Sequence, residues 1–228
     1  MLKDVKYSIY YAGHIFDFKH LTGNYELSKI ISKTSKQKFR CILPQDLEQT
    51  DSRSVAIRDN DLYTLARCDL ALFHFDGTEV DSGTVVEFIV AKMLNIPSVV
   101  IRTDFRQGGD QGKDGDPWNL MMSGYPYTKT LAHHSMALYQ EHGSRGMQFI
   151  IAQSIINEFE SLLLEIRQAH LESKEVRSQM VAETVSQYLT ILGRCGDSLT
   201  DLFKGGEKEL QDLICSKFDK LCIPPITL

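Results

Sequence analysis

Short apolar runs and helix-spaced apolar positions alternate along the first half of the chain. Residues 7–12 (Tyr-Ser-Ile-Tyr-Tyr-Ala) predict a first strand, ended by the turn Gly13-His14. A polar, helix-compatible segment runs from about Leu21 to Thr34, and Phe39 to Leu43 reads as a second short strand stopped by Pro44. Val55 to Arg67 has helical spacing, with Val55, Leu62, Leu65 and Ala66 as core candidates. Cys68 to Phe75 is an apolar run of strand length. Gly83 to Leu94 is apolar on most sides, which predicts a well-buried helix. Ser98 to Ile101, behind Pro97, is a fourth strand, and Tyr127 to Leu131 a fifth. Residues 103–117, rich in Gly and Asp, read as an irregular loop and a candidate lid.

Strand and helix in alternation imply parallel strands joined by right-handed crossovers. Continuous apolar runs in the third and fourth strands suit a sheet covered on both faces. The expected fold is therefore α/β, a doubly wound, flavodoxin-like, mostly parallel five-stranded sheet. From about Ser135 the pattern becomes purely helical. Met147 to Gln168 reads as a long amphipathic helix (Ile150, Ile151, Ile155, Ile156, Phe159, Leu162, Leu163, Ile166). A second helix spans about Val176 to Leu192, broken by Gly193 and Gly196, and a third Glu207 to Leu221. The expected division is an α/β domain over 1–134 and a helical extension over 135–228 that serves packing or oligomerisation.

Composition narrows the class. The 228 residues and 43% hydrophobic content suit a globular protein with a real core. The net charge of −5, with both signs dispersed, argues against non-specific binding to nucleic acid or anionic membrane. No apolar window reaches the roughly 18 residues of a membrane span, and the first residues have no signal-peptide form. The five cysteines are odd in number, dispersed and without a CxxC pair, which favours a reducing, cytoplasmic setting over a disulfide framework or structural zinc.

The chemistry concentrates after the third strand, in Asp81-Ser82-Gly83-Thr84-Val85-Val86-Glu87. In open α/β sheets the carboxyl edge of the strands is where ligands bind. Thr84-x-x-Glu87 also fits a capping box, in which the glutamate only accepts a backbone N–H. Alternatively the helix N-terminus keeps Glu87 ionised and aimed at the sheet edge, ready to attack a sugar carbon. Asp61, next to Arg58 and Asp59, is either a solvated helix position or a proton carrier. Asp76, Glu79 and Asp81 form an acidic connection in which Asp81 could hold a sugar hydroxyl. Tyr10 is either core or a hydrogen-bond partner of Glu87. Phe16 is packing or a wall of the site. Asn119 by itself reads as a helix N-cap.

Other patterns do not carry chemistry. The stretch Gly108-Gly109-Asp110-Gln111-Gly112-Lys113 lacks P-loop spacing and its Ser/Thr. There is no GxGxxG after the first strand and no GxSxG elbow. His133-His134 are neighbours whose side chains would diverge on a strand, so no metal is expected there.

Together these segments resemble the nucleoside 2-deoxyribosyltransferase family. Ile9-Tyr10-Tyr11-Ala12-Gly13-His14-Ile15-Phe16 is similar to its opening strand and aromatic turn, and Ile42-Leu43-Pro44-Gln45-Asp46 to its second strand and base-side loop. Ile57-Arg58-Asp59-Asn60-Asp61 resembles the helix carrying its aspartate, residues 81–87 the segment ending in its nucleophile, and Pro117-Trp118-Asn119-Leu120-Met121 its late Asn-Leu-Met element. Order and spacing agree over about residues 7–131.

The resemblance implies Glu87 as nucleophile, Asp61 in proton transfer and Tyr10 orienting Glu87. It implies Asp81 on the 5′-hydroxyl together with an Asn119 from a neighbouring subunit. Gly13 and Phe16 would lie beside the substrate, with Gln45, Asp46 and Glu48 as loosely matched base contacts. It implies a homo-oligomer with shared sites, a deoxynucleoside and a free nucleobase as partners in nucleoside salvage, and neither metal nor organic cofactor. The expected reaction is 2-deoxyribosyl transfer by double displacement through an ester on Glu87. Hydrolysis at the same site and a non-catalytic nucleoside sensor are the alternatives. The charge of Asp81 disfavours a 5′-phosphate, and purine or pyrimidine preference stays open. The resemblance does not account for the helices after 135.

Overall fold

The computed structural model describes residues 5–47, 53–106, 115–169 and 174–221. Five parallel strands form one sheet in the order β2-β1-β3-β4-β5: β1 (Tyr7–Gly13), β2 (Phe39–Ile42), β3 (Leu70–His74), β4 (Ser98–Arg102) and β5 (Thr128–Ala132). This is the flavodoxin-like order expected from the alternation, and its switch point lies between β1 and β3. Helices α1 (Phe18–Thr34), α2 (Ser54–Arg67) and α3 (Ser82–Met93) connect the early strands. Four more follow the sheet: α4 (Ser135–Ala169), α5 (Lys174–Cys195), α6 (Asp197–Thr200) and α7 (Gly206–Leu221).

Strand alternation sorts the core into two layers. Tyr7, Ile9 and Tyr11 of β1, with Leu70 and Leu72 of β3, pack against Leu27 and Ile31 of α1 and against Ile151, Ile155 and Phe159 of α4. The intervening residues Tyr10, Ala12, Ala71 and Phe73 meet Leu62 and Leu65 of α2, Phe88 and Ala91 of α3, and Val185, Tyr188 and Ile214 of α5 and α7. Helices from both halves of the sequence thus fill both layers. The stripe read over Met147 to Gln168 lies on the sheet. Its helix begins earlier than its periodicity suggests, because Gly143 (φ 67°, ψ 177°) joins two helical segments at a kink.

Two boundaries differ informatively from expectation. Helix α1 starts at Phe18, before its apolar periodicity begins, because the Asp17 carboxylate accepts the Lys19 and His20 N–H groups as an N-cap. Helix α3 is not apolar inward on all sides: Val86 and Met93 are about half exposed. A groove along it is lined by Val85, Val86, Ile89, Met93, Ile191 and Cys195. The glycine-rich stretch 107–114 of the predicted lid lies outside the described residues.

The late helices are fastened at the amino edge of the sheet. Tyr7 Oη donates to the Lys220 carbonyl (3.0 Å) and accepts from Arg167 Nη2 (2.6 Å). Lys220 Nζ donates to both oxygens of buried Asp69 (3.0 and 2.9 Å), which also accepts from Ser8 N and Oγ. Lys217, buried on α7, donates to the Ala66 carbonyl at the end of α2 (2.6 Å). Burial pushes the Lys217 ammonium down to about 8. The carboxyl edge, where Asp81 and Glu87 follow β3, lies at the opposite end of the sheet.

Phe159 is fully buried on α4 and stacks at a tilt against Phe39 (centroids 5.6 Å apart). Phe159→Ala is expected to lower stability by about 3–5 kcal/mol, measured by denaturant unfolding. A loss below about 1 kcal/mol would mean that α4 does not cover the sheet.

Candidate active site

Each site residue is delivered by an element the core already fixes. Tyr10 is fully buried in the middle of β1 and points toward α2 and α3. Its hydroxyl donates to Glu87 Oε1 at 2.6 Å. Glu87 sits in the second turn of α3, one residue before buried Phe88. Asp61 comes from α2, one residue before buried Leu62. The carboxylates of Asp61 and Asp81 are close enough to act on the charge of Glu87, and Asp61 also acts on Tyr10. The structure therefore gathers Tyr10, Asp61, Asp81 and Glu87 beside the sheet's switch point.

The cap at the start of α3 is not the one read from Thr84-x-x-Glu87. Asp81 is the N-cap: its Oδ2 accepts from Thr84 N (2.9 Å) and Thr84 Oγ1 (3.1 Å). A side chain at position 83 would set a Cβ 3.1 Å from that same Oδ2, so Gly83 leaves the cap room. With the cap satisfied by Asp81, Glu87 is free of backbone duty and turns to Tyr10. Asp81 keeps Oδ1 for another partner.

The electrostatics correct a second expectation. The helix N-terminus does not outweigh the burial of Glu87. Burial raises its pKa to about 7, helped by the charges of Asp61 and Asp81 and opposed by the Tyr10 hydrogen bond. A charge loses more on leaving water than the first turns of a helix return to it. Burial likewise raises Asp61 to about 6, and its buried Oδ1 has no hydrogen-bond partner among the described residues. Two carboxyls in one dry site titrate as a pair and hold about one proton near neutrality. Tyr10 is pushed well above its ordinary range by burial and the neighbouring carboxylates, so it stays a donor.

The surrounding residues divide. Gly13 ends β1, where an added Cβ would meet His74 Cβ at 3.1 Å, so glycine permits the close approach of β1 to β3. Phe16 is 73% exposed, edge-on to His14. Gln45 lies in a 3-10 turn after β2, donates to the Leu21 carbonyl (3.0 Å) and keeps a buried Oε1 without a partner among the described residues. Asp46 is exposed, and Glu48 lies outside the described residues. Asn119 caps a 3-10 turn through Met121 N (2.9 Å). It lines a cleft of about 600 Å³ with Thr78, Glu79, Val80, Arg102 and Trp118, and Glu87 is not in that cleft's wall.

Several supporting residues carry no motif. Asp76 accepts from Thr103 N (2.5 Å), Thr103 Oγ1 and Asp104 N (3.0 Å). Its other neighbour is His74 Nε2 (2.9 Å), whose ring Nδ1 lies 3.1 Å from the Tyr11 hydroxyl. Burial would raise the Asp76 carboxyl, but His74 and Thr103 outweigh it and hold the group far below its usual range. This network ties the ends of β1, β3 and β4 together. Asp59, read from sequence as part of a solvated face, is buried and accepts from Arg58 Nε (2.8 Å) and from Ser198 Oγ of α6. His134 accepts from Ala137 N at the start of α4 and stacks on Phe105 (4.5 Å), so it has a structural task. The signal for Asp76 was a polar pair closing an apolar run. Asp59 had none, since its partner lies 139 residues away.

The model of the family described as nucleoside 2-deoxyribosyltransferase matches residues 9–121. The chain belongs to that family. All of β1 to β4 and the Tyr10–Asp61–Glu87 constellation lie within or at the edge of the matched segment. Solved structures to which the chain is similar include a conserved protein from Enterococcus faecalis V583 (26% identity, 60% of this chain, 97% of that one, TM-score 0.48). A 2-desoxiribosyltransferase from Leishmania mexicana is 21% identical, over 60% of this chain and 99% of its own, with a TM-score of 0.45. A 2-deoxyribosyltransferase from Bacillus psychrosaccharolyticus is 17% identical over 51% and 80%, with a TM-score of 0.39. No curated protein matches. No described helix is long and apolar enough to cross a membrane.

The raised pKa of Glu87 has a signed consequence for stability. Its folded value, about 7, exceeds its ordinary 4.5. The folded state then binds more protons between these values, and stability falls as pH rises through that window. Glu87→Gln removes the penalty. Its melting temperature should match the wild type near pH 4.5 and exceed it by about 2–8 °C at pH 8. An unchanged difference across this range, read by thermal unfolding, would rule out a buried, destabilising carboxylate.

Proposed function

We propose that the protein transfers a 2-deoxyribosyl group between nucleobases through an ester on Glu87. The observation that carries this reading is the buried Tyr10–Glu87 hydrogen bond beside Asp61. A carboxylate whose one oxygen is pinned by a phenol keeps the other in a fixed direction. It pays little reorganisation when it reacts. Family membership supports the substrate class.

In the first step, ionised Glu87 attacks C1′ of the deoxynucleoside. The C1′–N bond breaks with its electron pair going to the base, and protonated Asp61 supplies the proton the base needs. In the second step, an incoming base attacks C1′, expels the Glu87 carboxylate and returns a proton to Asp61. Two inversions give net retention. The active form thus has one proton on the pair, carried by Asp61. The higher value belongs to Glu87, about 7 against about 6 for Asp61, so this form is the minor arrangement of the shared proton, roughly one in ten. Asp81 Oδ1, Phe16 and Gln45 Oε1 are the groups proposed to face the sugar and base. Asn119 is proposed to act from a neighbouring subunit of a homo-oligomer.

Deoxyinosine with free adenine should yield deoxyadenosine, followed by chromatography, and Glu87→Ala should lower the rate by about a thousandfold or more. Free sugar without exchange would make water the acceptor and the protein a hydrolase. Normal turnover by Glu87→Ala would overturn the mechanism.

The pH profile of kcat/KM should be a bell, rising as the pair loses its first proton and falling as it loses its second. Asp61→Asn should flatten the alkaline limb. Tyr10→Phe removes the bond that lowers Glu87, so the alkaline limb should move to higher pH and the rate should drop about 10–100-fold. A profile unmoved by Tyr10→Phe would separate Tyr10 from the nucleophile.

A further inference from the structure

The geometry points to a transition-metal site formed by His14, Asp17 and His20, at the carboxyl edge of β1. The three residues fall where the chain turns from β1 into α1. His14 follows the strand, Asp17 is the N-cap, and His20 is in the first turn, so their side chains fold back over one point. His14 Nε2 lies 3.3 Å and His20 Nδ1 2.7 Å from the same oxygen, Asp17 Oδ2. One ligand atom from each lies within 4.8 Å of the other two, the only such group of His, Cys, Asp and Glu among the described residues. Four ligands around a zinc-sized ion at 2.0–2.1 Å stand about 3.3 Å apart. The His14–Asp17 spacing already matches, and a small rotation of the His20 ring would bring the third ligand into line.

The backbone under these ligands is held independently of any ion. Asp17 Oδ1 is fixed by the Lys19 and His20 N–H groups, which leaves Oδ2 for coordination. Asn24 Nδ2 donates to the His14 carbonyl (3.1 Å). The side chains are 38–47% exposed, so water can complete the coordination. Two imidazoles and one carboxylate suit Zn²⁺, Co²⁺ or Ni²⁺, whereas Mg²⁺ and Ca²⁺ need oxygen ligands. The helix dipole and Lys19 oppose a cation here, and the Asp17 charge offsets them. A bound ion would cross-link the turn bearing Phe16 to the first turn of α1. It plays no part in the displacement at Glu87.

The test is titration of the purified full-length protein with Co²⁺, read by visible absorption, followed by displacement with Zn²⁺. The expected result is one tightly held Co²⁺ per chain with a low-symmetry spectrum, lost on adding Zn²⁺. His14→Ala and His20→Ala should each weaken binding by at least about tenfold. Asp17→Asn, which keeps a capping oxygen, should do the same. Zinc should raise the melting temperature of the wild type and not of these variants. Absence of one-to-one binding, or binding that survives both histidine substitutions, would overturn the site. The readouts are independent of transferase activity, so the outcome does not depend on the reading of Glu87.

Discussion

The structure turns on the burial of a carboxylate against a phenol. Tyr10 is fully enclosed between sheet and helices, and its hydroxyl has to find an acceptor there. Glu87 supplies it at 2.6 Å. The same contact fixes the rotamer of Glu87 and partly offsets the cost of burying it. What remains of that cost appears as a pKa near 7. Stability would be better served by a neutral amide at this position. The role proposed for Glu87 needs a carboxylate, and the rest of the fold supplies the stability that position 87 gives up.

That support comes from a distance. Phe88 and Ala91 anchor α3 in the core on either side of the site, while Leu62 and Leu65 anchor α2. The late helices close the outside of this layer, and α6 grips α2 through Asp59 and Ser198, two residues before Asp61. Asp59 and Asp61 are about 200° apart around the helix. One therefore holds α2 against the extension while the other faces the site. The amino edge is fastened by Asp69, Lys217 and Lys220, which leaves the carboxyl edge open for a ligand.

Most of this architecture was legible because the signals were local. Apolar runs of strand length alternating with 3.6-residue periodicity define β1 to β5 and α1 to α3, and the spacing of Tyr10, Asp61 and Glu87 is readable in the sequence. The failures were failures of partner and environment. Thr84-x-x-Glu87 looks like a capping box because a pattern cannot tell which of two neighbours caps, and Asp81 does so. Glu87 looks ionised because a helix terminus is visible in sequence and a dielectric is not. Asp59 looks solvated because Ser198 is remote. The exposure of Val86 and Met93 on α3 was equally hidden, since an apolar helix reads the same whether all of it is covered or one side is bare.

These points bear on what the helical extension does for the site. The family match ends at residue 121, yet residues after 135 complete both hydrophobic layers. Without them, Tyr7, Phe39 and Val99 on one face, and Leu62 and Leu65 on the other, would lose part of their cover. The desolvation that sets the pKa values of Glu87 and Asp61 depends on how dry and rigid α2 and α3 are held. A helix that packs against α2 from outside, as α6 does through Ser198 and Asp59, therefore bears on the two carboxyls without touching them. A small outward shift of α2 would admit water, lower both pKa values and separate the pair, so the buttress and the two carboxyls are mechanically coupled.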